Sequence, residues 1–335
     1  MKKVGIILRA DYGGLSRISE DFYHFLKPDK SLVVDTQYVP LRREMFVGPD
    51  VTIAKHTPPY YVATEDLQSW IEGLDVVLTF ETPYNWELFN LTKRAGIRSV
   101  LMVDYEYFPG LLPSRPDVLW MPVRWFLDEL KKDGIPVQFI PMPVDRLRFK
   151  FKQKKVAKTF LTVLGHHHML NEDRNGIRTL FDAIPLVKNK DIRFLFRSIQ
   201  PLPKINDPRV EIDVSTKKRP EDNWSKGDVL IYPRRYAGMS LPMNEALSCG
   251  MPVLMSNMSP QNNILPPHWL LPTKICPYHL GRNVDIGTVS PADLAAKIDE
   301  WAMKDISKES LLADQIANEI SWGRLLPALQ GLLHG

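Results

Sequence analysis

The thirty residues from Asp228 to Asn257, DVLIYPRRYAGMSLPMNEALSCGMPVLMSN, constrain the fold more than any other stretch. Two short apolar runs, DVLIYP and MPVLMSN, read as buried strands, their ends marked by Pro233 on one side and by Gly250 and Pro252 on the other. Between them lie a loop containing Gly238 and a helix over Leu241–Leu247, with Pro242 in its first turn. A strand, a small-residue loop and a helix start form a βαβ unit whose helix N-terminus offers backbone N–H groups and a positive dipole end. That geometry suits a phosphate or diphosphate. The same features describe an ordinary βαβ unit with no ligand.

Length and composition set the frame for this unit. A chain of 335 residues exceeds one typical core, so two domains are expected. With 24% charged and 44% hydrophobic residues the chain reads as a soluble globular enzyme. The two cysteines, Cys249 and Cys276, exclude a disulfide scaffold and a Cys-rich metal site, and suit a reducing, cytoplasmic setting. No apolar run approaches the roughly 18–20 residues that span a bilayer. The opening MKKVGIILRADYGG is read as a first strand, its apolar run being too short for a signal peptide. Residues 1–150 carry 19 Lys+Arg and 20 Asp+Glu, and the remainder 24 and 19. This mild basic excess in the second half fits an anionic ligand as well as it fits nucleic acid.

The first half alternates strands and helices: Val4–Leu8, a tight loop Asp11–Gly14, and a helix capped by Ser16 running through Phe22 to Leu26. Ser31–Val39 is the second expected strand, and Thr64 is the expected cap of a helix ending at Gly73. Asp75–Phe80, a helix over 86–95, Arg98–Val103, Val118–Val123 and Val137–Ile140 complete the half. Pro40–Pro59 fits no period and is expected as an excursion near a substrate site. The proline-punctuated, basic stretch Pro141–Lys158 reads as an interdomain linker, after which the alternation restarts at Thr159–Leu164. Two or three helices close the chain over 291–303, 308–320 and 322–333. Two doubly wound α/β halves are the expectation, with ligands at the carboxyl ends of the strands.

PRRYAGMSLPMNEALSCGMPVL resembles the donor-binding signature of retaining GT-B glycosyltransferases, glycosyltransferase family four in particular. Glu245, Ala246, Gly250, Pro252 and Val253 match that signature in register, and Asp228, Val229 and Pro233 match its entry strand. Gly13-Gly14 in the first strand-to-helix loop, PMPVDRLRF at 141–149, and Gly165 followed by Arg174-Asn175-Gly176 agree in order and spacing. The resemblance implies a GT-B fold: two Rossmann-like doubly wound domains facing a cleft. Residues 1–150 would form the acceptor-side domain and 151–320 the donor-binding domain, with 321–335 a helix crossing back to the first.

The resemblance also assigns roles. Glu245 would accept hydrogen bonds from the ribose hydroxyls, a carboxylate offering two acceptors to a diol. Backbone N–H groups of the loop from Gly238 through Met239, Ser240 and Leu241 would meet the diphosphate, with Gly13, Gly14, Gly165 and His166 as further donor contacts. The first Glu of the family's E-x7-E falls on Ala237, and the Lys of its phosphate clamp falls on Asn175. Arg174, Arg234 and Arg235 are the candidates for restoring that charge, because a guanidinium matches phosphate oxygens with a two-pronged fork. Arg234 and Arg235 are equally readable as solvated loop charges. Asp104 and Glu81, at strand ends of the first half, are the catalytic candidates, with strand-end capping as the alternative for Asp104. His166-His167-His168 cannot all face one ion from an extended segment, so no metal site is assigned.

The implied reaction moves a sugar from a nucleotide-diphospho-sugar, UDP-sugar being the commonest donor, to an unassigned acceptor, with retention and without a metal. That acceptor could be a small molecule, a protein or a modified DNA base. A GT-B sugar-nucleotide epimerase or phosphorylase, and a catalytically lapsed GT-B module that binds a nucleotide sugar or glycan, are the competing readings.

Overall fold

The computed structural model describes residues 2–37, 41–109, 111–164, 173–215, 217, 219–236 and 238–335. The chain divides into two compact units, one of residues 1–142 with 325–335 and the other of residues 143–324.

The first unit is a parallel seven-stranded sheet. Its strands are β1 (Val4–Arg9), β2 (Lys30–Val34), β3 (Val51–Ala54), β4 (Val76–Phe80), β5 (Arg98–Met102), β6 (Val118–Met121) and β7 (Val137–Phe139). Their order is β3-β2-β1-β4-β5-β6-β7, and every pairing is parallel. The helices are α1 (Gly14–Leu26), α2 (Thr64–Ile71), α3 (Glu87–Arg94) and α4 (Leu127–Lys131). All five residues of β4 are buried, as a strand covered on both faces requires. Phe22 of α1 meets Phe80 at 5.0 Å between ring centroids, edge to face, and Trp120 at 5.3 Å. Gly5 of β1 admits α2: a Cβ there would lie 2.3 Å from Leu74 Cδ1 and 2.9 Å from the Trp70 ring.

Several local expectations fail: α2 is capped by Ala63 and not by Thr64, and β2 ends at Val34 and not at Val39. Ser16 does not cap α1; the cap is Gly13, and the Ser16 hydroxyl instead donates to Asp11 Oδ1 at 2.7 Å. Within Pro40–Pro59, read as irregular, residues 51–54 form β3. This edge strand buries only Ala54, so its sequence lacks the apolar run of the central strands.

The second unit holds a six-stranded parallel sheet of β8 (Thr159–Leu164), β9 (Arg193–Ser198), β10 (Val210–Val214), β11 (Val229–Tyr232), β12 (Val253–Ser256) and β13 (Leu270–Leu271). Its order is β10-β9-β8-β11-β12-β13. Helices α5 (Ile177–Ala183), α6 (Leu241–Ser248), α7 (Pro291–Trp301) and α8 (Ser307–Glu319) belong to it. A hairpin of β14 (Lys274–His279) and β15 (Asn283–Thr288), not anticipated, interrupts the alternation. All six residues of β14 are exposed, which removes the apolar pattern that reveals a strand.

Residues 143–158, read as a linker, pack on this unit. The Ser248 hydroxyl donates to the Phe149 carbonyl at 2.6 Å, and the Lys154 N–H donates to Ser310 Oγ at 2.9 Å. Helix α9 (Trp322–His334) starts in the second unit, and from Leu325 it belongs to the first. Its end is tied there by Lys2 and Arg98, both donating to the Gly335 carbonyl.

Candidate functional site

In a doubly wound sheet, neighbouring strands whose connections run to opposite sides leave a crevice at their carboxyl ends, where ligands bind. In the second unit these strands are β8 and β11, because β9 and β10 lie to one side and β12 and β13 to the other. The segment leaving β11 is Pro233–Ser240, and it leads directly into α6.

That segment is held by its own arginines. Arg234 is 7% exposed, and its guanidinium donates to the Met239 carbonyl at 2.9 Å, bracing the loop across its width. The Arg235 N–H donates to the Arg174 carbonyl at 2.9 Å, which joins the loop after β11 to the segment before α5. Gly176 permits this junction. Its φ is +68°, and a Cβ would stand 2.0 Å from the Pro233 carbonyl oxygen. The Arg174 guanidinium lies 5.7 Å from the Tyr236 ring, and that of Arg234 lies 5.8 Å from the Tyr232 ring. Burial raises the pKa of the Tyr232 phenol, and the positive charges of Arg234 and Arg174 both oppose the rise. Each of the two cations stands near a different tyrosine.

Helix α6 carries no acidic residue in its first turn. Ser240 is its cap, with φ of −132°, so the serine at this position costs no left-handed backbone strain. Ser240 Oγ accepts the Met243 N–H at 3.3 Å, the Asn244 N–H donates to the Ser240 carbonyl, and Pro242 has no N–H. The helix is therefore a leaner amide donor than its length suggests. The neighbouring guanidinium groups carry most of the positive charge. Helix α5 differs: Asp173 accepts its Ile177 and Arg178 N–H groups at 2.7 and 2.8 Å, so its N-terminus already holds a carboxylate. Glu245, one turn into α6, leans toward the helix start as helical side chains do. Its Oε2 accepts the Trp224 indole N–H at 3.0 Å. Trp224, buried in the turn Pro220–Trp224, has no signal in the sequence, standing 21 residues from its partner.

In the first unit the corresponding strands are β1 and β4. Asp11, after β1, accepts the Gly13 N–H and the Ser16 hydroxyl and pairs with Arg9. A Cβ on Gly13 would lie 3.0 Å from Asp11 Oδ1, so the glycine makes room for that carboxylate. Gly14 is the first residue of α1. Glu81 follows β4 with φ of +57°, a conformation unusual for a residue with a side chain, and Tyr84 repeats it at +58°. Burial pushes the Tyr84 phenol pKa up, and the Glu81 charge adds to the rise while Arg9 opposes it. Asp104 follows β5 and is 6% exposed; its carboxylate does not cap the turn Tyr105–Tyr107 that it precedes. The Glu81 N–H donates to the Met102 carbonyl at 2.8 Å, so Glu81 and Asp104 occupy adjacent strand ends.

The structure thus gathers Arg174, Arg234, Arg235, Gly238, Met239, Ser240, Leu241 and Glu245 in the second unit, and Gly13, Gly14, Glu81 and Asp104 in the first. Gly165, His166 and the rest of the histidine triplet lie outside the described residues, as does Ala237. No described helix is long and apolar enough to cross a membrane.

Residues 161–272 match the family model described as glycosyl transferases group 1. A search of curated proteins gives no match. Among solved structures, the chain is similar to a glycosyltransferase from Rickettsia africae ESF-5, with 11% identity, a TM-score of 0.68, and 99% and 97% of the two chains covered. It is also similar to Anabaena Alr3699/HepE in complex with UDP and glucose, with 12% identity, a TM-score of 0.67, and 97% and 96% covered. Sucrose-phosphate synthase from Thermosynechococcus elongatus aligns with 13% identity, a TM-score of 0.61 and 98% of each chain covered. The fold is GT-B, with two Rossmann-like units, as the sequence resemblance implied.

Proposed function

We propose that this GT-B chain is a glycosyltransferase that takes a sugar from a nucleotide-diphospho-sugar and transfers it with retention of configuration. The observation that carries the reading is the gathering of Arg174, Arg234 and Arg235 beside the carboxylate-free start of α6, with Glu245 one turn along. A diphosphate leaving group develops negative charge as the glycosidic bond breaks, and fixed cations stabilise that charge without reorganising. In this role the three arginines supply what a divalent cation supplies elsewhere, so activity is expected to survive EDTA. Glu245 takes the ribose hydroxyls, and the amides from Gly238 to Leu241 take phosphate oxygens. The UDP complexes of the Anabaena protein make uridine the first nucleotide to test.

The first unit supplies the acceptor side, with residues 1–150 as its sequence-level bounds and 151–320 as those of the donor domain. Glu81 and Asp104 orient the incoming hydroxyl at their strand ends. The leaving phosphate takes its proton, the sugar–phosphate bond breaks on the face where the new bond forms, and configuration is kept. Gly13 and Gly14 approach the donor through backbone alone, in the loop where Asp11 already holds the Gly13 N–H. The acceptor is a small molecule, a protein or a modified DNA base. Two free cysteines, Cys276 exposed and Cys249 buried, suit a reducing cytoplasm.

Ala237, where the related signature has a glutamate, favours a second reading: a module that binds a nucleotide sugar but does not turn it over. One panel separates the two. UDP, GDP, ADP and dTDP with their sugars are screened by thermal shift on the wild type and on Glu245→Ala, followed by donor hydrolysis and transfer assays. A rise of several degrees with one nucleotide, lost in the variant and accompanied by turnover, supports transfer. A shift without turnover supports the binding module, and no shift for any nucleotide sinks both.

A further inference from the structure

Glu245 belongs to a chain of contacts that reaches the far edge of the sheet. Trp224 is 2% exposed, and its indole N–H points at Glu245 Oε2 from 3.0 Å. The next residue, Ser225, is gripped at two atoms by one guanidinium nitrogen of Arg197: the carbonyl at 3.2 Å and the hydroxyl at 3.1 Å. Arg197 is 5% exposed in β9, and its other terminal nitrogen pairs with Asp213 of β10 at 2.7 Å. Asp213 in turn accepts from Lys217 at 2.6 Å and from Ser215 at 2.5 Å. Those hydrogen bonds, Lys217 first, hold its carboxyl below the usual range. The contacts link two strands, one irregular segment and one helix, with Asp213 at one end and Glu245 at the other.

A glutamate on a half-exposed helix face samples many rotamers, and fixing it on binding lowers affinity. A donor locked in the core removes that freedom beforehand. We propose that Trp224 is a positioning residue for nucleotide recognition. It presets the Glu245 carboxylate for the ribose diol, and Arg197 anchors the segment that carries Trp224. This assignment rests on the donor-site reading of Glu245 and adds to it a residue that touches no ligand.

The test separates ribose recognition from phosphate binding. UDP and 2′,3′-dideoxy-UDP are titrated calorimetrically into the wild type, Trp224→Phe and Glu245→Ala. A hydrogen-bonded diol predicts that the wild type binds UDP about 10-fold or more tighter than the dideoxy analogue. Trp224→Phe keeps an aromatic side chain but removes the N–H together with the five-membered ring, so the ratio should fall to about two- or threefold while dideoxy-UDP affinity changes far less. A merely structural role for Trp224 would weaken both ligands together. A wild-type ratio in Trp224→Phe, with the ratio lost in Glu245→Ala, overturns the positioning role alone. A ratio near one in the wild type overturns the ribose role of Glu245 and, with it, this proposal.

A second measurement does not depend on the folding of a core variant. In Glu245→Gln a neutral oxygen faces the indole, so one of the eight tryptophan indole N–H resonances should move upfield in the free protein. No movement of any indole resonance overturns the contact.

Discussion

The two units share one topology and use its crevice in opposite ways. In the first, the loop after β1 carries its own anion: Asp11 binds the Gly13 N–H at the start of α1 and pairs with Arg9, so helix start and cation are both neutralised internally. In the second, α6 starts without an acidic residue, while Arg234 lies 5.8 Å from the Tyr232 ring and Arg174 lies 5.7 Å from the Tyr236 ring. A carboxylate fixed at a helix N-terminus occupies the position a phosphate would take. The same fold therefore presents a carboxylate at one helix start and guanidinium groups beside the other. Topology determines where a ligand binds, and a few residues at the strand ends determine its charge.

The most direct way to break this comparison is to remove one arginine from each crevice. Arg234→Ala takes away both the cation and the brace on Met239, and transfer should fall about 10²–10³-fold. Nucleotide affinity measured by calorimetry should weaken with it. Arg9→Ala should leave nucleotide affinity within about twofold, because its charge is already matched by Asp11. Equal losses of nucleotide affinity in the two variants would show that the crevices are not specialised.

Gly176 tests whether the donor loop depends on the α5 junction. Gly176→Ala places a methyl group against the Pro233 carbonyl in a left-handed backbone, and about 3 kcal/mol of stability should be lost. Chemical denaturation reads that loss directly. Nucleotide affinity in the surviving folded fraction should fall as well, since Arg174 and Arg235 are joined there. Gly13, with φ of −87°, imposes no such constraint, so Gly13→Ala should cost well under half as much.

Much of this contrast was legible in the sequence and some was not. The Asp228–Asn257 stretch predicts its βαβ unit because both strands are fully buried and the turn residues stand at their ends. The arginines are visible in the sequence by their positions, but the junction of Arg235 with Arg174 depends on Gly176 meeting Pro233, a contact 57 residues apart in the chain. The roles of Trp224 and Asp11 are not legible in the sequence, because single side-chain hydrogen bonds leave no periodic trace. Edge strand β3 and the β14–β15 hairpin are not legible for a simpler reason. Strands with little buried surface do not need an apolar alternation.

The acidic strand ends of the first unit offer a sharper test of division of labour. Glu81→Gln and Asp104→Asn each remove a charge without changing shape. Loss of a hydrogen bond to a charged acceptor predicts a 10- to 100-fold fall in kcat. Nucleotide affinity should be unchanged in both, the reverse of the pattern for Arg234→Ala. A variant that weakens the nucleotide and spares kcat would move that residue to the donor side.

The smallest effect concerns acid. In the second unit Asp207 pairs with Arg209 at 2.7 Å, with both side chains largely buried, and the Arg209 hydrogen bond holds its carboxyl below the usual range. In the first unit Glu87 and Asp128 are also held low, but by partners on an open surface where water weakens the pairing. A depressed native pKa means that the unfolded chain binds protons first. The contribution of Asp207 is therefore complete above its unfolded pKa of about 3.9 and is lost as pH falls through the lower native value. Asp207→Asn should lower Tm by about 2–4 °C at pH 7. Wild type and variant should converge in thermal scans once pH falls below the native value. Glu87→Gln should show less of either effect, because a pair that water already screens leaves little for acid to remove.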